Sequence, residues 1–188
     1  DQVQSRGLGD VYKRQHFKIK LNITIVSDTL INQVFQNKNS SIPIWFLRQA
    51  GRHIPEYFQI RENEKNFINF CLNEDLIIRS TTLPLKYYDL DAAIIFSDIL
   101  MIPWAMDRNV KFTKNFGPSL KPMIPNETKF LKNISLSSKL EPLKNSISFL
   151  RVNLPKSLSL IGFAGAPWTL ACYMIEGTGS KDFINTRK

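Results

Sequence analysis

With 188 residues, 43% of them hydrophobic and 22% charged, the chain has the size and composition of one globular domain with a real core rather than of a disordered segment. No apolar run approaches the roughly 18 residues that cross a bilayer, and no charged start followed by an apolar stretch marks it for export. Its net charge of +9 asks for an anionic partner, but the lysines are scattered and no dense Lys/Arg run carries interleaved aromatics, which disfavours a nucleic-acid groove and favours an acidic small molecule.

Residues 1–15 show no apolar period and read as a non-native scar, and His16 beside them reads as inert. Residues 16–188 are read as the functional part. Ser27 and Asp28 can cap a helix carrying Leu30, Ile31, Val34 and Phe35 on one face. Ile44 to Leu47 is an apolar run too short for a helix, and is expected to be a buried strand. It stops at Arg48; Gln49, Ala50 and Gly51 follow, then Arg52. Gly51 frees the backbone to turn and lets a ligand come close. Two guanidiniums flanking a small-residue turn form a fork for carboxylates or phosphates.

Pro55 opens a short helical turn, residues 63–66 form a loop, and Phe67, Ile68, Phe70 and Cys71 return to the core. Asn73 caps a helix running to about Tyr88, which Pro84 should interrupt. The unalternating run Ala92 to Phe96 suits a parallel strand covered on both faces, with Asp98 at its exit. Val110 to Thr113 is a short extra strand, and residues 115–137, with their prolines, a surface loop. Leu140, Leu143, Ile147 and Leu150 share one helical face. Leu158 to Phe163 is another buried strand, ended by Gly165; Pro167 starts a helix that Gly177 terminates, with Leu170, Tyr173 and Met174 on one face and Trp168 packed. The two cysteines, Cys71 and Cys172, read as buried reduced thiols of a cytoplasmic protein.

Strands separated by helices indicate a parallel α/β architecture. Arg48, Asp98 and Gly165 each stand just past the carboxyl end of an expected strand, the face on which such folds bind ligands. Asp98 taken alone serves equally well as a helix cap.

Three stretches carry a resemblance. Ile42 to Arg61, Phe96 to Leu100, and Gly162 to Leu170 continuing through Tyr173 to Gly177 are similar, in that order, to signatures of the uroporphyrinogen decarboxylase family. The resemblance covers about residues 20–188. It implies a (β/α)8 TIM barrel; since such barrels need about 250 residues, the chain is expected to be an incomplete barrel, the N-terminal half, and inactive alone. The implied reaction converts the four acetate side chains of uroporphyrinogen III to methyls, giving coproporphyrinogen III in haem biosynthesis. It needs no metal and no organic cofactor, because the protonated pyrrole is the electron sink.

The resemblance implies roles residue by residue. Asp98 is the catalytic aspartate, accepting the pyrrole N–H groups. Arg48 and Arg52 bind substrate carboxylates, and Arg48 is a candidate in catalysis too. Gln49, Ala50, Gly51, Phe67 and Tyr173 complete the substrate-binding set. Arg61 is left between another positive contact and a solvated side chain. His53 and Phe58 depart from the family pattern, His53 as an aromatic replacement and Phe58 as a lost charge. The full-length enzyme is expected to be a homodimer, without nucleic acid or membrane as partner. Two other readings remain: a corrinoid-linked methyltransferase of the same superfamily, and a non-catalytic basic binding module.

Overall fold

The computed structural model describes residues 29–113, 117–124 and 136–188. The expected scar at residues 1–15, His16, the caps Ser27 and Asp28 and much of the expected loop at 115–137 lie outside them.

The first helix, α1 (Leu30–Phe35), is capped by Thr29, whose hydroxyl accepts the Asn32 N–H. The same hydroxyl is hydrogen-bonded to Ser159 Oγ at 2.7 Å, tying the helix start to a strand far along the chain. Next come α2 (Pro55–Glu62), α3 (Phe67–Cys71) and α4 (Glu74–Thr82). Each start follows from its sequence. Pro55 fits a first helical position, Asn66 accepts the Ile68 and Asn69 N–H groups, and Asn73 accepts that of Leu76. Pro84 turns the end of α4 into a 3-10 segment, Leu83–Lys86, as its missing N–H requires.

Strand β1 (Ala92–Ile94) follows, then α5 (Met101–Ala105), a hairpin of β2 (Lys111–Thr113) and β3 (Gly117–Ser119), α6 (Leu136–Lys139), α7 (Glu141–Asn153), β4 (Ser159–Ile161) and α8 (Pro167–Glu176). β1 and β4 pair in parallel, Ala92 opposite Ser159 and Ile94 opposite Ile161. The fold is therefore α/β, and two of the expected strands lie side by side. β2 stands where an extra strand was expected, and its antiparallel partner β3 falls inside the stretch expected to be irregular. Gly177 ends α8 with φ of +78°, and a side chain there would strike Pro122 at 2.7 Å. The segment after β3 is bound to that helix end: Leu120 N–H donates to the Gly177 carbonyl, and Met123 N–H to that of Met174.

Three buried clusters form the core. One joins Ile77 of α4 to Ala93, Ile95 and Leu150 of α7. A second joins Ile54, Ile60, Phe70, Leu76 and Leu83. The third joins Ile68, Cys71, Leu100, Met101 and Met174. Phe96 touches all three. Both cysteines are free and buried, and Leu170, Tyr173 and Met174 share one packed face as expected.

Four expectations fail. The stretch Leu158 to Phe163 is a strand only over Ser159–Ile161, which is half-buried rather than buried, and Phe163 beyond it is exposed. Ile44 to Leu47 is not a buried strand: it is irregular, and Leu47 is 80% exposed. Its main chain meets the β1 side only near Ile44, through Asp91 N–H to the Ile44 carbonyl and Ile44 N–H to Asp91 Oδ2. Among the described residues nothing covers its outer face, so the apolar run does not imply burial. Trp168, expected to pack, is 61% exposed because the first turn of α8 presents it outward. On α7, Leu150 is buried but Ile147 is exposed, while the small Ser146 takes a buried position. The Ser146 hydroxyl donates to the Pro142 carbonyl within the helix, so its burial leaves no polar group unpaired, and Leu143 packs on the cluster that holds Leu150 as expected.

Candidate active site

The carboxyl end of β1 is where the candidate residues gather. The strand is fixed from below: Phe96 N–H donates to Thr81 Oγ1 at 2.9 Å, and Thr81 in turn donates to the Ile77 carbonyl. Phe96 stands against Phe70 at 5.1 Å between ring centroids, Tyr57 at 6.0 Å and Phe67 at 6.3 Å. These rings form an aromatic wall beside the next residues, Ser97 and Asp98.

Asp98 is half-buried. Its Oδ1 accepts the Leu100 N–H at 2.8 Å, which is the only hydrogen bond to its side chain among the described residues. The capping arrangement expected of an aspartate there is thus present, and it uses one carboxylate oxygen. Burial raises the Asp98 pKa above the usual aspartate value, and the Leu100 N–H opposes that shift. Cys71 lies behind it. Burial, then the Asp98 charge, push the Cys71 thiol up to about 12, while the Arg61 charge acts the other way.

Arg48 and Arg52 are exposed on the turn that precedes α2. Arg48, Gln49 and Ala50 line a cleft of about 310 Å³ together with Ile94, Ile95, Phe96, Ser97 and Phe163. Arg48 and the residue preceding Asp98 therefore share one cleft, while Asp98 is not itself among the lining residues. Gly51 stands against the ring of His53, which packs on Tyr88 at 6.4 Å. Gln49 is buried, and its amide is bonded to the main chain of β1. Arg52 reaches the site electrostatically. Burial raises the Tyr57 pKa, and the charges of Arg61 and Arg52 are among the causes that lower it.

Arg61, left open by the sequence, is not a solvated side chain. Its guanidinium lies 5.1 Å from the Phe70 ring centre and 5.6 Å from that of Phe67. Nη2 donates to the Lys65 carbonyl, and Nη1 is buried without a hydrogen-bond partner among the described residues. Arg61 and Phe67 line a second cleft, of about 550 Å³, with Lys65, Lys111 and Phe112. Lys65, Lys111 and Phe112 were not singled out from the sequence. Only the pairing of β2 with β3 carries Lys111 and Phe112 there, and no local spacing signals it. Tyr173 is half-buried in the core cluster that holds Cys71 and Leu100, with its hydroxyl 3.6 Å from where a Gly179 side chain would begin. Gly165 is closely packed: a Cβ there would fall 2.5 Å from the Leu170 side chain and 3.3 Å from Ile99, so Leu170 would have to shift.

A parallel β-pair with a half-buried carboxylate just past its carboxyl end, an arginine turn on the neighbouring cleft and an aromatic wall behind defines an α/β protein with its charged groups gathered at the carboxyl end of the strands. The chain belongs to the uroporphyrinogen decarboxylase family, whose model matches residues 27–188. It is 46% identical over 160 residues to a uroporphyrinogen decarboxylase of Rickettsia felis, covering 85% of this chain and 46% of the relative. It is 45% identical over 161 residues to one of Rickettsia bellii, covering 85% of this chain and 47% of the relative. The chain thus spans about half the length of these relatives. Among its described residues, no helix is long and apolar enough to cross a membrane.

Proposed function

We propose that the chain forms the N-terminal part, over residues 16–188, of a uroporphyrinogen decarboxylase barrel, with β1 and β4 as adjacent staves of its wall. The reaction removes carbon dioxide from each acetate of uroporphyrinogen III. A proton adds to the pyrrole α-carbon next to the carbon bearing the acetate, the bond from the acetate CH2 to its carboxylate breaks, releasing carbon dioxide, and its electron pair flows into the cationic ring. The carbon left behind takes up a proton to become a methyl group, and the ring carbon gives its proton back.

The observation that carries this reading is the placement of Asp98. Its carboxylate is held at the strand end by Leu100, against the aromatic wall and partly removed from water. An anion in such a setting attracts the positive charge that develops on the ring more strongly than it would in bulk water, and it accepts the pyrrole N–H groups. Arg48 and Arg52, with Ala50 and Gly51 forming the turn between them, bind the acetate and propionate carboxylates. Phe67 and Tyr173 border the macrocycle. Arg61, drawn over the rings of the wall with a free Nη1, is suited to one more carboxylate. No external electron sink is invoked. The relatives' names favour the decarboxylase over the methyltransferase or a non-catalytic module, and the family resemblance supports a homodimeric, cytoplasmic full-length protein.

Anaerobic incubation of the full-length protein with uroporphyrinogen III, with coproporphyrinogen quantified by chromatography, tests the reading. Arg52→Ala should weaken substrate binding, because one carboxylate loses its cation. Residues 1–188 alone should give no turnover. Absence of coproporphyrinogen from the full-length protein would refute the assignment.

A further inference from the structure

The turn holding Arg48 and Arg52 is exposed, yet one of its residues is not: Gln49 is only 5% accessible. Its amide is spent on the main chain of β1. Nε2 donates to the Ala92 carbonyl at 2.8 Å, and Oε1 accepts the Ile94 N–H at 2.9 Å. In a strand, alternate residues turn their peptide groups to opposite edges. On one edge β1 is paired to β4, where Ile95 N–H donates to the Ile161 carbonyl. Ala92 and Ile94 direct theirs to the other edge. A side-chain amide offers the same donor and acceptor as a peptide group, so Gln49 occupies the place of a neighbouring strand there.

We infer that Gln49 is a positioning residue that stitches the arginine turn to the strand leading to Asp98, rather than a contact to the substrate. This rests on the proposed function for what the arginines bind, and on the two hydrogen bonds for how they are held. The anchor lies between the cations, adjacent to Arg48 and three residues before Arg52. Through it, the register of the turn is set by the same strand whose end carries Asp98. Without it, the neighbouring tie to the β1 side is at Ile44 and Asp91, at the far end of an exposed segment. The arginines would then sample many placements and lose the geometry that bidentate carboxylate binding needs.

The test uses the full-length protein and two readouts. The first is backbone order from nitrogen-15 relaxation. Gln49→Leu keeps the bulk and removes both bonds, so order parameters of residues 48–52 should fall below about 0.6, the flexible range, while those of 159–161 stay near about 0.85. The second is binding of uroporphyrin III, the stable oxidised octacarboxylate, by fluorescence quenching. Gln49→Leu should weaken binding on the order of tenfold, one net hydrogen bond's worth. It should weaken it no further when Arg48 and Arg52 are already alanine. Unchanged order at 48–52, or a loss that persists without the arginines, overturns the proposal; the persistent loss would make Gln49 a direct contact. If the unsubstituted chain ignores the porphyrin while Gln49→Leu still loosens 48–52, the positioning role stands and the assigned substrate falls. Gln49→Glu, which keeps the acceptor facing Ile94 and loses only the donor, supplies the same comparison if Gln49→Leu does not fold.

Discussion

Two segments bring charge to the carboxyl end of β1, and they are held in opposite ways. Around Asp98 the support is continuous: Thr81 fixes Phe96, Phe96 packs into all three core clusters, and Leu100 fixes the carboxylate. Around Arg48 the chain is an exposed arm whose apolar side chains, Ile44, Phe46 and Leu47, face outward, and Gln49 is its one buried residue between Ile42 and Gly51. The difference suits the two tasks that the proposed function gives them. An anion that must meet a developing charge works best when fixed in advance and partly dry, because reorganisation at the moment of reaction is then avoided. Arginines that bind carboxylates need their main chain placed, and on the exposed arm the one buried point, Gln49, does this while the long side chains supply the reach.

The largest effect that separates the two segments is on stability. Phe70 is completely buried in the wall behind Asp98, so Phe70→Ala should cost about 3–5 kcal/mol. Leu47→Ala, on the arm, should stay within about 0.5 kcal/mol of zero. Urea midpoints of the two variants measure this, and an equal loss at Leu47 would mean that the arm is packed after all.

Next comes Asp98→Asn in the full-length protein. Turnover should fall on the order of 10²–10³-fold, the usual cost of removing one preorganised electrostatic group. Stability should move the other way. Burial raises the folded-state pKa of Asp98, so the folded chain binds its proton more tightly than the unfolded one. The group's contribution is full below the ordinary aspartate pKa and is lost as pH rises through the elevated folded value. Asp98→Asn should therefore equal the unsubstituted chain in acid and exceed it in stability above that window. Urea titrations at several pH values show whether the two curves diverge upward. Curves that remain parallel would mean that the carboxylate is not held against its own ionisation.

How legible this contrast was in the sequence depends on what each motif encodes. The strand before Asp98, the parallel pairing class, the interruption at Pro84, the Gly177 terminus and the core role of Phe70 and Cys71 could all be read, because each follows from local rules of burial, capping and backbone freedom. That the two arginines flank a turn could be read too. Its setting could not: Ile44 to Leu47 carries the composition of a buried strand, and only tertiary structure shows its outer face uncovered, with one glutamine doing the pairing. Arg61 was ambiguous for the same reason. Its place over Phe67 and Phe70 depends on how α2 and α3 meet, as the place of Lys111 depends on a hairpin whose second strand, rich in proline and glycine, resembles a loop.

The smallest effect concerns Cys71, which reports on the wall from behind. Its thiol is pushed up to about 12, first by burial and then by the Asp98 charge. Only the thiolate reacts with alkylating agents. At pH 8 a group with that pKa is ionised to about one part in ten thousand, whereas an ordinary thiol with a pKa of about 8.5 is ionised to roughly a quarter. Iodoacetamide labelling of the folded chain, followed by peptide mass spectrometry, should therefore leave Cys71 unmodified. Phe46→Cys, on the exposed arm, should supply a thiol that reacts at the rate of a free cysteine. Adding Asp98→Asn removes the second cause and leaves the first. Labelling of Cys71 should then speed up by a modest factor and stay far below the arm thiol. A rate that rises to match the arm would mean that charge, not burial, protects Cys71, and that the site behind Asp98 is wetter than its packing implies. A rate that does not change would mean that the carboxylate is screened from the core and stands on the solvent side of the wall, as the arginines do.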